Sequence, residues 1–286
     1  MPNKSRKSTH LLKLLLVGLG GLGLGTTHKA APKTEDKRQT EQETKNFTVA
    51  HKPQVNVETF DGVITVHTWD KQEVKFTALK RAQDDAEMRG VSVRAEQSGS
   101  GVSIVAAFDD AFKREVNFYG NRVLSFSASV DLEIYLPREV SLVARTSDGS
   151  ITVESLTGEA DLFTKDGPIQ VSGGKGSLKV KTDDGSIIVD NFTGAAEVHT
   201  GDGVIKLSGR FAQLNAATEK GSISLKFPSD FNATIETNSK SVHNGNGVVV
   251  AEGPASAQTQ IRRWRAGAGG NLLTVRADCG GISFRR

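Results

Sequence analysis

The chain has 286 residues, enough for one large or two ordinary domains, and its 30 glycines with only 6% aromatic residues favour a turn-rich β protein over a helical enzyme. Its single cysteine, Cys279, excludes an internal disulfide and any cysteine-based zinc site. Five of the 36 basic residues but none of the 33 acidic residues lie in the first 30 positions, so the rest is close to neutral and gives no reason to expect a nucleic-acid partner.

The first 30 residues have the layout of a targeting segment. Lys4, Arg6 and Lys7 precede the apolar run 11–25, which at about 15 residues is shorter than the ~20 that a membrane-spanning helix needs. We therefore predict that residues 1–30 are a cleaved signal peptide, with a retained N-terminal anchor as the alternative, and that residues 31–46 are a polar linker. The chain is expected in the periplasm, at the cell surface or secreted, and to meet a membrane only through an uncleaved N-terminal segment.

Residues 47–140 alternate apolar and polar side chains in short runs, which is typical of half-buried strands. One of these runs places Ile64 and Val66 after an Asp61-Gly62 step. We predict that this region forms irregular β-rich coils that cap the structure that follows, with a hint of helix only at residues 84–88.

From residue 146 the chain repeats with a period of 18. TSDGSITV at 146–153 returns as TKDGPIQV, TDDGSIIV, TGDGVIKL and TEKGSISL, the last at 218–225. A fixed period predicts a β-solenoid, because each coil must stay in register with its neighbour. The turn glycines are expected to adopt the left-handed conformation, and the recurring threonines to form a buried hydroxyl ladder between coils.

The predicted β-solenoid occupies residues 47–286. Its regular coils span about 141–242, with a sixth and looser unit at 237–242. Residues 243–270 break the register and are predicted to be an inserted loop, and residues 271–286 a final coil.

Three stretches resemble the DUF4097 adhesin-like domain family of bacteria. They are VETFDGVITVHTWDKQEVKF, the serial T-x-D-G-x-I region that begins VDLEIYLPREVSLVARTSDGSITV, and the C-terminal GGISF. The resemblance covers about residues 47–286 and implies a right-handed β-solenoid, an envelope or secreted location and no established catalytic residues. The segment 243–270 departs from the family pattern, so no family site is carried over to it.

Two groups of residues are candidates for a binding site. Arg262, Arg263, Trp264 and Arg265 combine forked hydrogen-bond donors with an aromatic face, which suits a glycan or phosphate group. The alternative is that Trp264 is a lid that closes the open end of the solenoid. The column of Asp148, Asp166, Asp184 and Asp202 could hold calcium, but turn capping explains these residues equally and we expect no metal.

The sequence contains no close histidine pair, no G-x-S-x-G elbow and no phosphate-binding loop. It therefore favours a non-catalytic, exported, adhesin-like binding or structural module without a cofactor, whose partners are envelope or extracellular polysaccharides or proteins. Two alternatives stay open. One is a carbohydrate-active β-helix enzyme, which would need clustered carboxylates on one sheet face. The other is an accessory protein of envelope-stress signalling.

Overall fold

The computed structural model describes residues 38–245, 249–254 and 261–285. The predicted signal peptide, residues 1–30, and the first part of the predicted linker, 31–37, lie outside the described residues. Within the described part of the chain, no helix has the length and apolar character needed to cross a membrane.

The described chain is all-β, with one short helix and one 3₁₀ turn. The elements are β1 Gln39–Thr48, β2 Gln54–Asp61, β3 Ile64–Trp69, β4 Glu73–Ala82, α1 Asp85–Met88, β5 Val91–Ser98, β6 Gly101–Phe108, a 3₁₀ turn at Asp110–Phe112, β7 Arg114–Phe118, β8 Asn121–Ser125, β9 Ser129–Pro137, β10 Glu139–Asp148, β11 Ile151–Glu154, β12 Thr157–Asp166, β13 Ile169–Ser172, β14 Lys175–Asp184, β15 Ile187–Asp202, β16 Ile205–Lys220, β17 Ile223–Lys226, β18 Ala233–Thr237, β19 Val242–Asn244, β20 Val249–Pro254, β21 Arg262–Ala266, β22 Asn271–Ala277 and β23 Ile282–Arg285. All described strands except β7 and β8 belong to one 21-stranded sheet.

The repeated units pair with one another in parallel and in the predicted register. Ile151 lies opposite Ile169, which lies opposite Ile187. Each unit contributes a long strand such as β12 and a short strand such as β13, separated at the Asp-Gly step. The alternation of apolar and polar residues makes this register unique, since a slip of one position would turn every buried side chain outward.

Columns of equivalent residues fill the inward side of the coils. Each is at most 6% exposed, and the list is Ile151, Ile169, Ile187, Ile205, Ile223, Ala160, Leu178, Ala196 and Leu214. Burying one such isoleucine or leucine contributes about 1.5–3 kcal/mol, so the stack is stabilised mainly by its own core. Small and large residues alternate in the second column, as the sequence pattern predicted.

The predicted buried threonine ladder is confirmed. Thr164 and Thr200 are fully buried. The Thr164 hydroxyl donates to the Gly149 carbonyl at 3.0 Å, and the Thr200 hydroxyl donates to the Gly185 carbonyl at 2.9 Å. Each buried hydroxyl is thus satisfied by the neighbouring coil, which links coils along the stack.

The turn glycines have a further role that the sequence reasoning did not foresee. Gly149 and Gly167 have the positive φ values that were predicted, +145° and +142°. A Cβ atom on Gly149 would lie 2.1 Å from the Gly62 carbonyl oxygen, and one on Gly167 would lie 2.3 Å from the Gly149 carbonyl oxygen. Glycine recurs here because backbone packs directly on backbone from coil to coil.

The coils at the two ends do not stack in chain order. β22 lies between β16 and β18, because Leu273 is opposite Leu214 on one side and Ile235 on the other. β23 is likewise inserted between β17 and β19. The predicted final coil is therefore an internal layer, and the sixth unit lies outside it. At the other end, β3 lies between β9 and β11 in the same way.

The predicted linker is replaced in its described part by a strand. β1 runs antiparallel to β4 over its whole length. Phe47 explains this pairing, because its ring stacks on that of buried Phe76 at 6.5 Å. Most other side chains of β1 are polar and exposed, so the sequence lacks the alternation that predicts a strand.

The predicted loop 243–270 also contains strands. β21 pairs antiparallel with both β18 and β20. Antiparallel strands end the parallel stack here, as β4 does against β9 at the other end. β18 at one end and β9 at the other are therefore paired on both sides and present no free edge to another molecule.

Candidate functional site

The four residues of the predicted contact cluster lie on β21 and point to different sides. Trp264 is opposite Ile235, and residues opposite each other share a face of a sheet. Trp264 therefore faces the core, and Arg263 and Arg265 face outward. Arg263 Nη2 lies 2.6 Å from Glu236 Oε1, and Arg265 Nη1 donates to the Gly267 carbonyl at 2.8 Å.

Trp264 has the placement that the lid interpretation requires. Its ring is partly buried against the core and lies 6.1 Å from the ring of Phe284. Its indole Nε1 is buried without a hydrogen-bond acceptor among the described residues. A ligand role for Arg262, Arg263, Trp264 and Arg265 as one surface stays a prediction, although the sheet divides them between two faces.

The structure contains the predicted column of four aspartates and adds Asp61 to it. Asp61 precedes Asp148 in the stack, followed by Asp166, Asp184 and Asp202. It ends at Lys220, whose Nζ lies 3.2 Å from Asp202 Oδ2. Over the described ranges, no group of three or more histidine, cysteine or acidic residues is placed to hold a metal ion.

Asp61 and Asp166 are the half-buried members of the column, whereas Asp148, Asp184 and Asp202 are exposed. Desolvation, together with the negative charges of Asp148 and Asp131, raises the pKa of the Asp61 carboxyl from 3.8 to about 6. The hydrogen bond from the Gly62 N–H opposes this rise only in part. Asp61 therefore takes up a proton near pH 6, at a higher pH than an ordinary aspartate.

An outward patch that the sequence reasoning missed brings aromatic and acidic side chains together. Buried Ile64 and Val66 turn the alternate residues of β3 outward, among them His67. The register between β3 and β9 sets His67 beside Tyr135, with ring centroids 5.0 Å apart. Trp69 lies 5.3 Å from Tyr135. These three rings form a row across the first coils.

Two carboxylates complete this aromatic patch, which we define as His67, Trp69, Glu133, Tyr135 and Glu154. His67 Nδ1 lies 2.9 Å from Glu154 Oε2, and His67 Nε2 lies 3.7 Å from Glu133 Oε1. The Tyr135 hydroxyl donates to Glu133 at 3.0 Å. This hydrogen bond and the Glu133 charge raise the pKa of the Tyr135 hydroxyl.

The patch has the chemistry of a binding surface for hydroxyl-rich molecules. Aromatic faces offer apolar contact, and the carboxylates accept hydrogen bonds from hydroxyl groups. Lys71 lies 4.8 Å from the centre of the Trp69 ring and supplies a cation at the edge. Both carboxylate side chains are 51% exposed, so they lack the burial that prepares a general acid in glycosidases.

Part of this patch could be predicted from the alternation of β3. Alternation alone places His67 and Trp69 on the outward face of β3. The contact with Tyr135 depends on the register between β3 and β9, strands separated by more than 60 positions in a region without repeats. The histidines were therefore interpreted as scattered surface residues.

A second outward feature is a concavity of about 670 Å³ over β14, β15, β16 and β22. It lies where the repeat is broken, since the register shifts between β15 and β16 near Gly194. Its lining includes Lys179 and Glu197, whose charged atoms are 3.9 Å apart. Glu197 is the only carboxylate among the lining residues, so the concavity lacks the carboxylate pair that glycoside hydrolysis uses.

A family model and several solved structures are similar to this chain. The model of the family described as Toastrack DUF4097 matches residues 32–283. A "putative adhesin" structure from Bacteroides fragilis NCTC 9343 is similar, with 11% identity, a TM-score of 0.43, and coverage of 86% of this chain and 97% of that one. A "putative adhesin" from Parabacteroides distasonis ATCC 8503 has 10% identity, a TM-score of 0.39, and coverage of 86% and 97%. A search of curated proteins returned no match.

Proposed function

Because the chain belongs to the Toastrack DUF4097 family, we propose that it is a non-catalytic binding or structural module displayed outside the cytoplasm. Its scaffold is a right-handed β-solenoid of 18-residue coils with irregular coils at the ends. The parallel register at 18 positions supports the coil length. The basic N-terminal residues and apolar run of the sequence support export.

The observation that carries the binding function is the aromatic patch. The regular coils use their inward residues for packing, and their threonine hydroxyls bond the next coil. In contrast, His67, Trp69 and Tyr135 form a row of rings on the outer surface. We therefore assign an extracellular or envelope polysaccharide as the ligand class, since sugars present both apolar ring faces and hydroxyl donors.

The polysaccharide assignment is tested with the full chain on immobilised polysaccharides and peptidoglycan. His67→Ala and Tyr135→Ala are expected to weaken binding at least about tenfold, because each removes one ring of the row. The matched control is Lys206→Ala, which changes an exposed residue of β16, a strand separated from β11 by β13 and β15. Equal binding by all three variants would place any ligand elsewhere.

The enzyme alternative has one specific feature in its favour, because Glu133 and Glu154 flank His67. If the patch hydrolysed polysaccharides, the chain would release new reducing ends, and Glu133→Gln or Glu154→Gln would abolish that release. We expect no release with any substrate, and binding that survives each of these changes at reduced strength. Turnover lost in either variant would overturn the non-catalytic proposal.

A further inference from the structure

A hairpin projects from the first coils and belongs to no larger sheet. β7 and β8 pair only with each other in the part of the chain that the structure describes. The turn at Tyr119 and Gly120 has φ values of +49° and +84°, and the Gly120 N–H donates to Asn117 Oδ1 at 2.9 Å. We call the segment 114–125 the hairpin.

The hairpin is the most apolar exposed segment among the described residues. Five of the eight large hydrophobic residues exposed there lie on it. They are Val116, Phe118, Tyr119, Val123 and Leu124, and Tyr119 is 92% exposed. Because the hairpin covers no core, these side chains do not serve internal packing. Clustered exposed apolar residues of this kind mark a contact with another apolar phase or surface.

The two faces of the hairpin differ. Val116 lies opposite Val123, and Phe118 lies on the same face two positions further along β7. The other face carries Glu115 and Arg122, whose charged atoms are 3.3 Å apart. Leu124 lies opposite Glu115 on this second face, so the apolar surface of the hairpin consists mainly of the Val116 face and the aromatic tip at Phe118 and Tyr119.

A buried carboxylate fixes the base of the hairpin. Glu87 on α1 accepts hydrogen bonds from the backbone N–H groups of Ser127 and Gln83, each at 2.6 Å. Arg114, the first residue of β7, places Nη2 at 3.4 Å from Glu87 Oε2. Burial opposes ionisation of Glu87, but these hydrogen bonds and the charge of Arg114 outweigh it and lower the pKa of the carboxyl. Both ends of the hairpin are thus held by one ionised group.

The described chain begins beside this base. Gln39, the first residue of β1, pairs with Ala82, the last residue of β4. The next residue, Gln83, accepts a hydrogen bond from Arg114. The first described strand therefore starts at the base of the hairpin, and the sequence that precedes it contains the apolar run 11–25.

We propose that the hairpin inserts its aromatic tip and its Val116 face into the boundary between headgroups and acyl chains of a lipid bilayer. Tyrosine and phenylalanine suit this depth, because an apolar ring meets the acyl region and the tyrosine hydroxyl reaches the headgroups. The charges nearby are paired, with Lys113 Nζ at 2.9 Å from Asp110 Oδ1. The contact therefore depends on apolar area more than on anionic lipid. This surface is separate from the aromatic patch, so either proposal can fail alone.

The experiment reports the depth of the hairpin in vesicles of phosphatidylcholine, with and without phosphatidylglycerol. An environment-sensitive dye is attached to the full chain through Asn121→Cys in a Cys279→Ser background, which leaves one cysteine. The matched control carries the dye at Lys179→Cys on the outward face of β14. We expect a blue shift and quenching by brominated acyl chains at position 121 with both vesicle types, and neither change at position 179.

Adding Phe118→Ser and Tyr119→Ser to the labelled chain is expected to reduce the quenching at position 121 at least about tenfold. Thermal unfolding should stay unchanged, because the hairpin pairs with no strand of the main sheet. A dye at position 121 that stays open to aqueous iodide on vesicle-bound protein would overturn the proposal. So would a blue shift that depends on protein concentration without vesicles, since a second copy would then be the occupant.

Discussion

Asp61→Asn is expected to stabilise the protein near neutral pH. In the native state, burial and the charges of Asp148 and Asp131 raise the pKa of the Asp61 carboxyl from 3.8 to about 6. At about 1.36 kcal/mol for each pH unit of this difference, ionised Asp61 costs the folded state up to roughly 3 kcal/mol. Asparagine has nearly the same shape and still accepts the hydrogen bond from the Gly62 N–H, but it carries no charge.

The effect of Asp61→Asn on stability depends on pH, because only the ionised form of Asp61 destabilises the folded state. Because the native pKa is raised, protonation of Asp61 stabilises the folded state. This contribution to the free energy of unfolding is fully present below about pH 4 and is lost as the pH rises through about 6. Wild type and Asp61→Asn should therefore be equally stable near pH 4. The variant should gain about 1–3 kcal/mol by about pH 7 and no more above it.

The assay is urea unfolding of both chains across this pH range, followed by the fluorescence of Trp69 and Trp264. Asp184→Asn is the matched control, since Asp184 is flanked by Asp166 and Asp202 in the same column but is exposed to solvent. Solvent screening should keep its effect within about 1 kcal/mol. A stability difference between wild type and Asp61→Asn that does not vary with pH would refute the reasoning.

Three further outcomes are expected. Deleting residues 173–190 removes one full period and should leave a folded chain, whereas deleting 173–189 turns later buried side chains outward and should abolish the cooperative thermal transition. Trp264→Ala should lower the free energy of unfolding by about 3–5 kcal/mol if its ring is the lid, as measured by chemical denaturation. Glu87→Gln should speed hydrogen exchange at the Ser127 amide, and wild type should show the same change only when acid protonates Glu87, below the usual carboxyl range because its pKa is lowered.

The repeated coils could be predicted from the sequence because one rule determines them at every position. A constant period fixes which residues are neighbours between coils, and alternation fixes which side faces the core. Thr164 shows how far this reaches, since its predicted burial and its hydrogen bond to the adjacent coil are both present. The recurrence of glycine was also predicted, but its cause was only partly recognised. The close approach of Gly149 to Gly62 depends on atomic spacing between coils, which a periodicity does not contain.

The candidate surfaces could not be predicted in the same way, because they lie where the repeat is absent. His67 and Tyr135 meet through a register that no periodic signal specifies. β1 has few buried side chains, so its pairing with β4 left little pattern in the sequence. The hairpin was recognised only as short β-rich sequence, since an apolar strand residue has the same signature whether it is buried or exposed. Functional surfaces are expected in regions like these, where the local sequence pattern does not determine which side chains meet in the fold.

The intercalated coils give the last described strands, β22 and β23, a neighbour on both sides. In a stack built in chain order, the first and last coils would each have one free side and would open first. Here the coil with β22 and β23 has a neighbour on both sides, at Leu214 and Ile235 through Leu273. The coil with β3 has neighbours in β9 and β11. Antiparallel β21 covers β18 at one end, and antiparallel β4 covers β9 at the other, where β1 forms the edge. Because β3 is paired on both sides, it gives the aromatic patch a rigid support.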